Sequence, residues 1–404
     1  MNQPETDADT EAPAPRFSLV GGGPFNGLLG RAGLLGPDQL PSVRCALLLA
    51  LLAWLVPGAC ALVQSIVTPG YEASAYFADS STLARYFIAV GTMLFTERRA
   101  DERTLLMVRE FLKSGLLQPD SRRKFGVRVR SADYWSTAPA VETTLLVLAW
   151  LGASHALDLT IQLEAAGWEA VALASSGHEL SWAGLAARYF STPLFFFLTL
   201  RWLWRLGTWS KLMYHLSRLP LQLRPLHPDR CGGLGFLSLF PGIFRGFVFS
   251  LSCVLASLVL KDIESGTAPV TMDIIRGVIA AWALLVALLF LAPLLLFYEP
   301  LFQLREESLR LYGSRSMHWI DTFDARWQTP EQHGDATAPA HGEDVPKIGE
   351  IADAFAIVNE LRSIPLDRTT VLNLYFAALL PLLLVGASRI PIRELLARIA
   401  GVLI

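Results

Sequence analysis

Charges set into apolar sequence are the first residues to ask about in this chain. Arg85, Arg188 and Arg276 each stand near one end of a long hydrophobic run, and His155 and Asp158 lie about one helical turn apart in another. An ionisable group held in hydrocarbon is unfavourable by several kcal/mol unless it is paired or hydrated, so such residues are pointers to function. Thr92 and Thr96 continue the face of Arg85 at helical spacing, as Thr192 and Thr199 do for Arg188. Guanidinium, imidazole, carboxylate and hydroxyl groups on adjoining faces could replace the hydration shell of a small anion or line a permeation path. The competing reading is anchoring, since an arginine beside Tyr and Phe at the end of a span snorkels to lipid headgroups.

A second constellation is the segment His227-Pro228-Asp229-Arg230-Cys231-Gly232-Gly233-Leu234-Gly235-Phe236. His227 and Asp229 are types that bind a proton or a metal, and Gly232, Gly233 and Gly235 let backbone approach another group closely. Two ligands do not make a metal site, and the glycines do not follow a strand, so no nucleotide fingerprint is met. The favoured reading is a structural turn capped by Asp229 that leads into the next span. A third segment, Arg201-Trp202-Leu203-Trp204-Arg205 with Trp209, reads as an aromatic belt at the inner interface, with an acidic lipid headgroup as a weaker alternative use. The chain carries no GxSxG, HExxH or phosphate-loop motif, and its seven histidines are scattered. No catalytic residue, metal site or cofactor is therefore assigned.

The elements that must position these residues are membrane helices. Of 404 residues, 52% are hydrophobic and 17% charged, against the ~25% charged of a soluble domain. Seven runs approach the ~20 apolar residues a spanning helix needs: 44–67, 81–96, 141–163, 185–206, 241–260, 273–298 and 369–388. The fold class expected is all-α, a polytopic transmembrane bundle of about seven spans with helical cytoplasmic loops. Helices are also expected over 97–117, where they continue the short second run, over 298–327, and over 347–363, with a linker over 329–346 and an amphipathic segment over 391–404. The domain reading is a flexible cytoplasmic tail (1–43), a six-span membrane bundle (44–298), cytoplasmic helices and linker (299–367), and a last span with its C-terminal helix (368–404). The acidic N-terminus does not resemble a signal peptide.

Loops 68–84 and 163–187 contain no Lys or Arg, whereas 97–140 contains ten, 207–240 four and 299–367 six. By the positive-inside rule the N-terminus is cytoplasmic. Leu-Ala-Trp-Leu occurs at 52–55 and again at 148–151; Ala-Arg-Tyr-Phe follows each, at 84–87 and 187–190, and a threonine (Thr96, Thr199) stands eleven residues beyond each arginine. The order suggests two copies of a hairpin, 44–96 and 141–206, in the same orientation, as in some transporters.

Three strings taken together, 201–206, the HPD-x-x-GGLGF loop at 227–237 and the segment 347–385, resemble an uncharacterised family of bacterial multi-pass inner-membrane proteins. The resemblance implies a bacterial source and a membrane location, and no substrate. Two functional readings follow from the sequence: a transporter or channel for a small ion or solute, and a signalling or assembly protein that binds a cytoplasmic partner through its helical loops. The partners expected are the lipid bilayer, with an ion, solute or protein, and no nucleic acid; oligomeric state is left open.

Overall fold

The computed structural model describes residues 17–36, 40–162, 167–172, 178–265, 271–328 and 344–388. Residues 1–16, most of the linker expected over 329–346 and the amphipathic segment expected over 391–404 lie outside the described residues; the last three linker positions, 344–346, are already helical.

Ser42 starts the first long helix by accepting the Cys45 amide at 3.1 Å, a capping bond that satisfies one orphan donor. That helix, α2 (Val43–Val67), follows a short α1 (Gly23–Arg31). α2 runs unbroken through Pro57-Gly58, and the missing side chain of Gly58 seats the rings of Tyr76 and Phe77. The next helix, α3 (80–113), is capped by Asp79 and continues from the apolar run into the charged segment, as the sequence suggests. It ends near Gly115, whose φ of 69° is the left-handed conformation that closes many helices.

An arginine-rich helix occupies the second half of the charged loop 97–140: α4 (Pro119–Thr137) begins at a proline and buries Phe125, Val129 and Ala132, three to four residues apart. Next come α5 (Pro139–Gln162), a two-stranded hairpin of β1 (Ala170–Ala172) against β2 (His178–Leu180), and α6 (Trp182–Ser217). Then α7 (Arg245–Ser265) enters through a short irregular turn, and α8 (Met272–Phe290) stops earlier than expected because Pro293, which has no amide proton, interrupts the run. Beyond that break α9 (Tyr298–Gln328) runs for 31 residues, pairs with α10 (Asp344–Asn359), and is followed by α11 (Arg368–Ser388).

Six helices, α2, α5, α6, α7, α8 and α11, are long and apolar enough to cross a membrane, and at most 44% of the residues in any such span are buried within the protein. Many of their remaining apolar side chains are exposed, and Leu148, Leu284, Leu288, Phe376 and Leu384 stand more than half exposed. A belt of this extent is incompatible with water and fits lipid. The apolar start of α3, shorter and more buried than the others, threads the centre of the bundle against α2 and α7. The protein is thus an all-α integral membrane bundle of about seven spans.

One expectation is corrected. The tail 1–43 was read as flexible, yet Phe17, Leu19 and Val20 are each at most 3% exposed, and α1 packs on α5. Phe17 rests on Trp209 at 6.1 Å and Phe25 on Phe197 at 5.3 Å. Three apolar side chains in six residues were the available signal; the polar sequence before them masked it.

Candidate functional site

Arg201 and Arg205 are one turn apart on α6, and Trp202 and Trp209 two turns apart beside them. That spacing places all four on one helix face. The face points inward: Trp202 and Trp209 are fully buried, stacked on Phe247 and Phe240, and of the expected belt Leu203 and Trp204 reach the surface. The arginines therefore do not anchor the helix to headgroups. They are buried, with side chains 7% and 2% exposed.

Their partners come from three other elements. Glu97 of α3, with a wholly buried side chain, offers one oxygen, Oε1, to both Arg201 Nη1 (3.2 Å) and Arg205 Nη1 (2.8 Å). Glu142 of α5 takes Arg201 Nε at 3.3 Å. Arg201 Nη2 also donates to the Val20 carbonyl (3.2 Å) and to Asn26 Oδ1 (3.1 Å), while Phe25 Nα donates to Glu142 Oε2 at 2.9 Å. Phe25 lies under the Arg201 guanidinium at 5.1 Å. Two positive and two negative groups balance, yet Glu97 Oε2 and Arg205 Nη2 are buried without a hydrogen-bond partner among the described residues. A buried unsatisfied polar atom is unfavourable by about 1–3 kcal/mol, more when charged.

The strap of residues 17–22 closes this cluster from below. Asp101 accepts Ser18 Oγ (2.6 Å) and Val20 Nα (3.2 Å), and Asp133 of α4 accepts Ser18 Nα (2.9 Å). Burial pushes both carboxyls above the usual carboxylate range, against the pull of those hydrogen bonds. Gly23, at φ 83°, lies so close to Glu142 that a Cβ there would overlap the carboxylate.

The pocket residues inferred from sequence are distributed differently. Asp158 and Arg188 do meet, through two bonds of 2.8 and 3.3 Å, at a partly exposed position. Arg85 instead binds its own helix: Nη2 reaches Ser81 Oγ at 2.7 Å and Nε the Ser81 carbonyl at 3.3 Å. Arg276 forms an exposed pair with Asp273 one turn away. Thr96 and Thr199 donate back to the carbonyls of Thr92 and Phe195, each at 2.8 Å, so their hydroxyls are satisfied within the helix. His155, exposed, completes the set without joining one pocket.

Both Ala-Arg-Tyr-Phe strings carry the same backbone irregularity. Residues Leu83–Ala89 and Ala187–Ser191 are π-helical turns inside otherwise α-helical spans, a feature that recurs at functional sites. Each turn reaches across to the other hairpin: Tyr86 Oη meets Thr192 Oγ1 at 2.8 Å, and Ser191 Oγ donates to the Ala53 carbonyl at 2.6 Å. Above them Asp79, unremarked in the sequence, accepts Ser81 Nα, Trp168 Nε1 and Lys261 Nζ at 2.8, 3.0 and 3.2 Å. Burial raises its pKa, but these bonds and the lysine outweigh burial and hold it below the ordinary value.

The HPD loop is knotted by Asp229. Oδ1 accepts the amides of Cys231 (2.8 Å) and Gly233 (3.1 Å), and Oδ2 that of Gly235 (2.7 Å). His227 Nδ1 lies 2.9 Å from Oδ1. Gly232 and Gly233 have φ of 63° and 99°, open to glycine, and a Cβ on Gly235 would stand 2.8 Å from Asp229 Cβ. The loop holds the segment after α10 through Arg362 Nα to the Arg230 carbonyl (2.8 Å). Among the described residues no cluster of three or more His, Cys, Asp or Glu could hold a metal.

No protein-family model, curated protein or solved structure matches the chain. What the site can do is therefore argued from its geometry alone. The signal for the buried cluster is in the sequence, as arginines at i and i+4 with tryptophans at i+1 and i+8; its acidic partners stand at the edges of two other runs.

Proposed function

We propose that the protein moves a small ion or solute across a bacterial inner membrane, its N-terminus on the cytoplasmic side, and that the Glu97–Arg201–Arg205–Glu142 cluster is the inner gate of the path. The observation that carries this reading is the pair of buried unsatisfied atoms, Glu97 Oε2 and Arg205 Nη2, inside a helical membrane bundle. Charges kept at that position are a default mark of an ion or proton pathway. Further support comes from the two π turns, which put Arg85 and the Arg188–Asp158 pair at the other end of the same two helices, α3 and α6. The paired hairpins, read as a duplication, are an arrangement met in transporters. In this reading the strap 17–22 seals the cluster from the cytoplasm.

The test is flux of chloride, potassium and protons through the full chain in liposomes. Wild type is expected to carry at least one of them. Glu97→Gln keeps shape and one acceptor while removing the charge shared by two arginines, and is expected to change the rate at least tenfold, about 1.4 kcal/mol. Thermal unfolding in detergent checks that the variant is folded. Absence of flux for every ion from folded wild type sinks the reading.

A second reading has its own observation. α9 carries Leu311, Met317 and Ile320 at 44–60% exposure. Apolar residues so placed on a helix projecting beyond the spans suit a protein partner, as in a signalling or assembly role. Co-purification lost on Leu311→Glu/Met317→Glu, with flux absent, is the outcome that would favour it.

A further inference from the structure

The face of α6 turned away from the buried cluster forms a groove with α4 and α5 of about 810 Å3, which adjoins a second cleft of about 1020 Å3; Arg128 and His215 line both. The two ends of the groove differ in chemistry. One is walled by Leu145, Leu200 and Leu203, which lie in spans α5 and α6, with the rings of Trp135 and Trp204 beside them. Trp204 Nε1 donates to the Trp135 carbonyl at 3.0 Å, which fixes that rim. The other end carries Arg123, Lys124, Arg128, Lys211 and Arg218 against one carboxylate, Asp120. All five cations are exposed, and none of them is ion-paired with a described residue.

We infer that this groove binds an anionic glycerophospholipid from the leaflet on the basic side of the bundle, its phosphate between Arg128 and Lys211 and its acyl chain along Leu145, Leu200 and Leu203. A soluble phosphate would need no apolar wall inside two spans. A zwitterionic lipid would leave five cations facing its choline. Only an anionic lipid uses both ends, and basic residues at a membrane surface attract such headgroups. Trp135 and Trp204 are both exposed at the rim, and rings of this type bridge hydrocarbon and headgroup at a membrane surface. The groove lies apart from the Glu97 cluster, so this inference does not rest on transport.

The experiment is native mass spectrometry of the full chain in detergent, titrated with phosphatidylglycerol or phosphatidylcholine. Phosphatidylglycerol is expected to bind at least tenfold more tightly. Arg128→Gln/Lys211→Gln is expected to weaken it about thirtyfold, which is about 2 kcal/mol at about 1 kcal/mol per basic residue near a lipid surface. Arg128→Lys/Lys211→Arg, which keeps both charges, should bind as wild type does. Both side chains are exposed, so the fold is expected to survive; if the double variant fails to fold, Arg128→Gln alone should weaken binding about fivefold. Equal binding of the two lipids, or unchanged binding in the glutamine variants, overturns the inference. Displacement of phosphatidylglycerol by an equal concentration of inorganic phosphate overturns it too, because the ligand would then be the free anion.

Discussion

Asp229 and Glu97 are both carboxylates that accept several hydrogen bonds, and their settings give them opposite uses. Asp229 is matched: its two oxygens meet three backbone amides within six residues, so it stabilises one loop shape. Its pKa, raised by burial but lowered more by those amides and by His227, lies below the ordinary aspartate value. A depressed folded-state pKa contributes stability that is present above the unfolded pKa and lost as pH falls through the folded one. Thermal unfolding of wild type is therefore expected to lose stability below about pH 4, and that part of the loss should vanish in Asp229→Asn. Asp229→Ala removes both acceptor oxygens, and with them three hydrogen bonds, and should destabilise by about 2–4 kcal/mol at pH 7. An unchanged acid profile in the asparagine variant would falsify the assignment. Glu97 is unmatched, with one oxygen shared by two guanidiniums and the other buried alone. Removing one partner of a buried ion pair is unfavourable by about 3–5 kcal/mol, so Glu97→Gln, which keeps an acceptor, is the informative change and Glu97→Ala is not. The loop motif was legible as a motif, and Asp229 as its cap. The use of Glu97 was not, because nothing within its own helix distinguishes it from the charges that follow.

Between elements, the crossing of α3 and α7 shows why a small residue can matter more than a polar one. Thr96 was a candidate pocket hydroxyl; its hydroxyl is spent on its own helix, and the side chain lies against Gly246, where an added Cβ would overlap it. In an isolated helix Gly→Ala is favourable by about 1 kcal/mol. Here Gly246→Ala is expected to be unfavourable by about 1–3 kcal/mol, because packed helices must separate to admit the methyl. Adding Thr96→Ala should recover part of the loss. Chemical denaturation of the two variants checks both, and a Gly246→Ala protein more stable than wild type would show that the helices are not in close contact there. The π turns belong to this scale as well. Their identical strings were visible in the sequence, but a π turn depends on which neighbours the widened turn can reach, here Thr192 and Ala53.

At the scale of the whole molecule, charge distribution sets orientation. The loops without Lys or Arg close one end of the bundle, and α4, α9 and α10 gather at the charged end. Glu72 and Glu306 are exposed residues at opposite ends. In intact cells a membrane-impermeant maleimide is expected to label Glu72→Cys, and to label Glu306→Cys only after permeabilisation. Labelling of position 306 from outside reverses the topology and with it the placing of the strap and of the lipid groove.

Sequence alone determined the class of this protein. Long apolar runs are a physical requirement of crossing hydrocarbon, and the charged half of α3 keeps a helical period that needs no partner to be read. It did not determine which face of α6 turns inward. In water the polar face of a helix goes out; in a bilayer Arg and Trp serve equally at the headgroups or in a buried network, so composition does not separate the two uses. The choice was made by Glu97 and Glu142, on two other spans, and by Val20 and Asn26, from a segment that read as tail. Those partners are 59 to 181 residues from Arg201 along the chain and meet it only when the bundle packs.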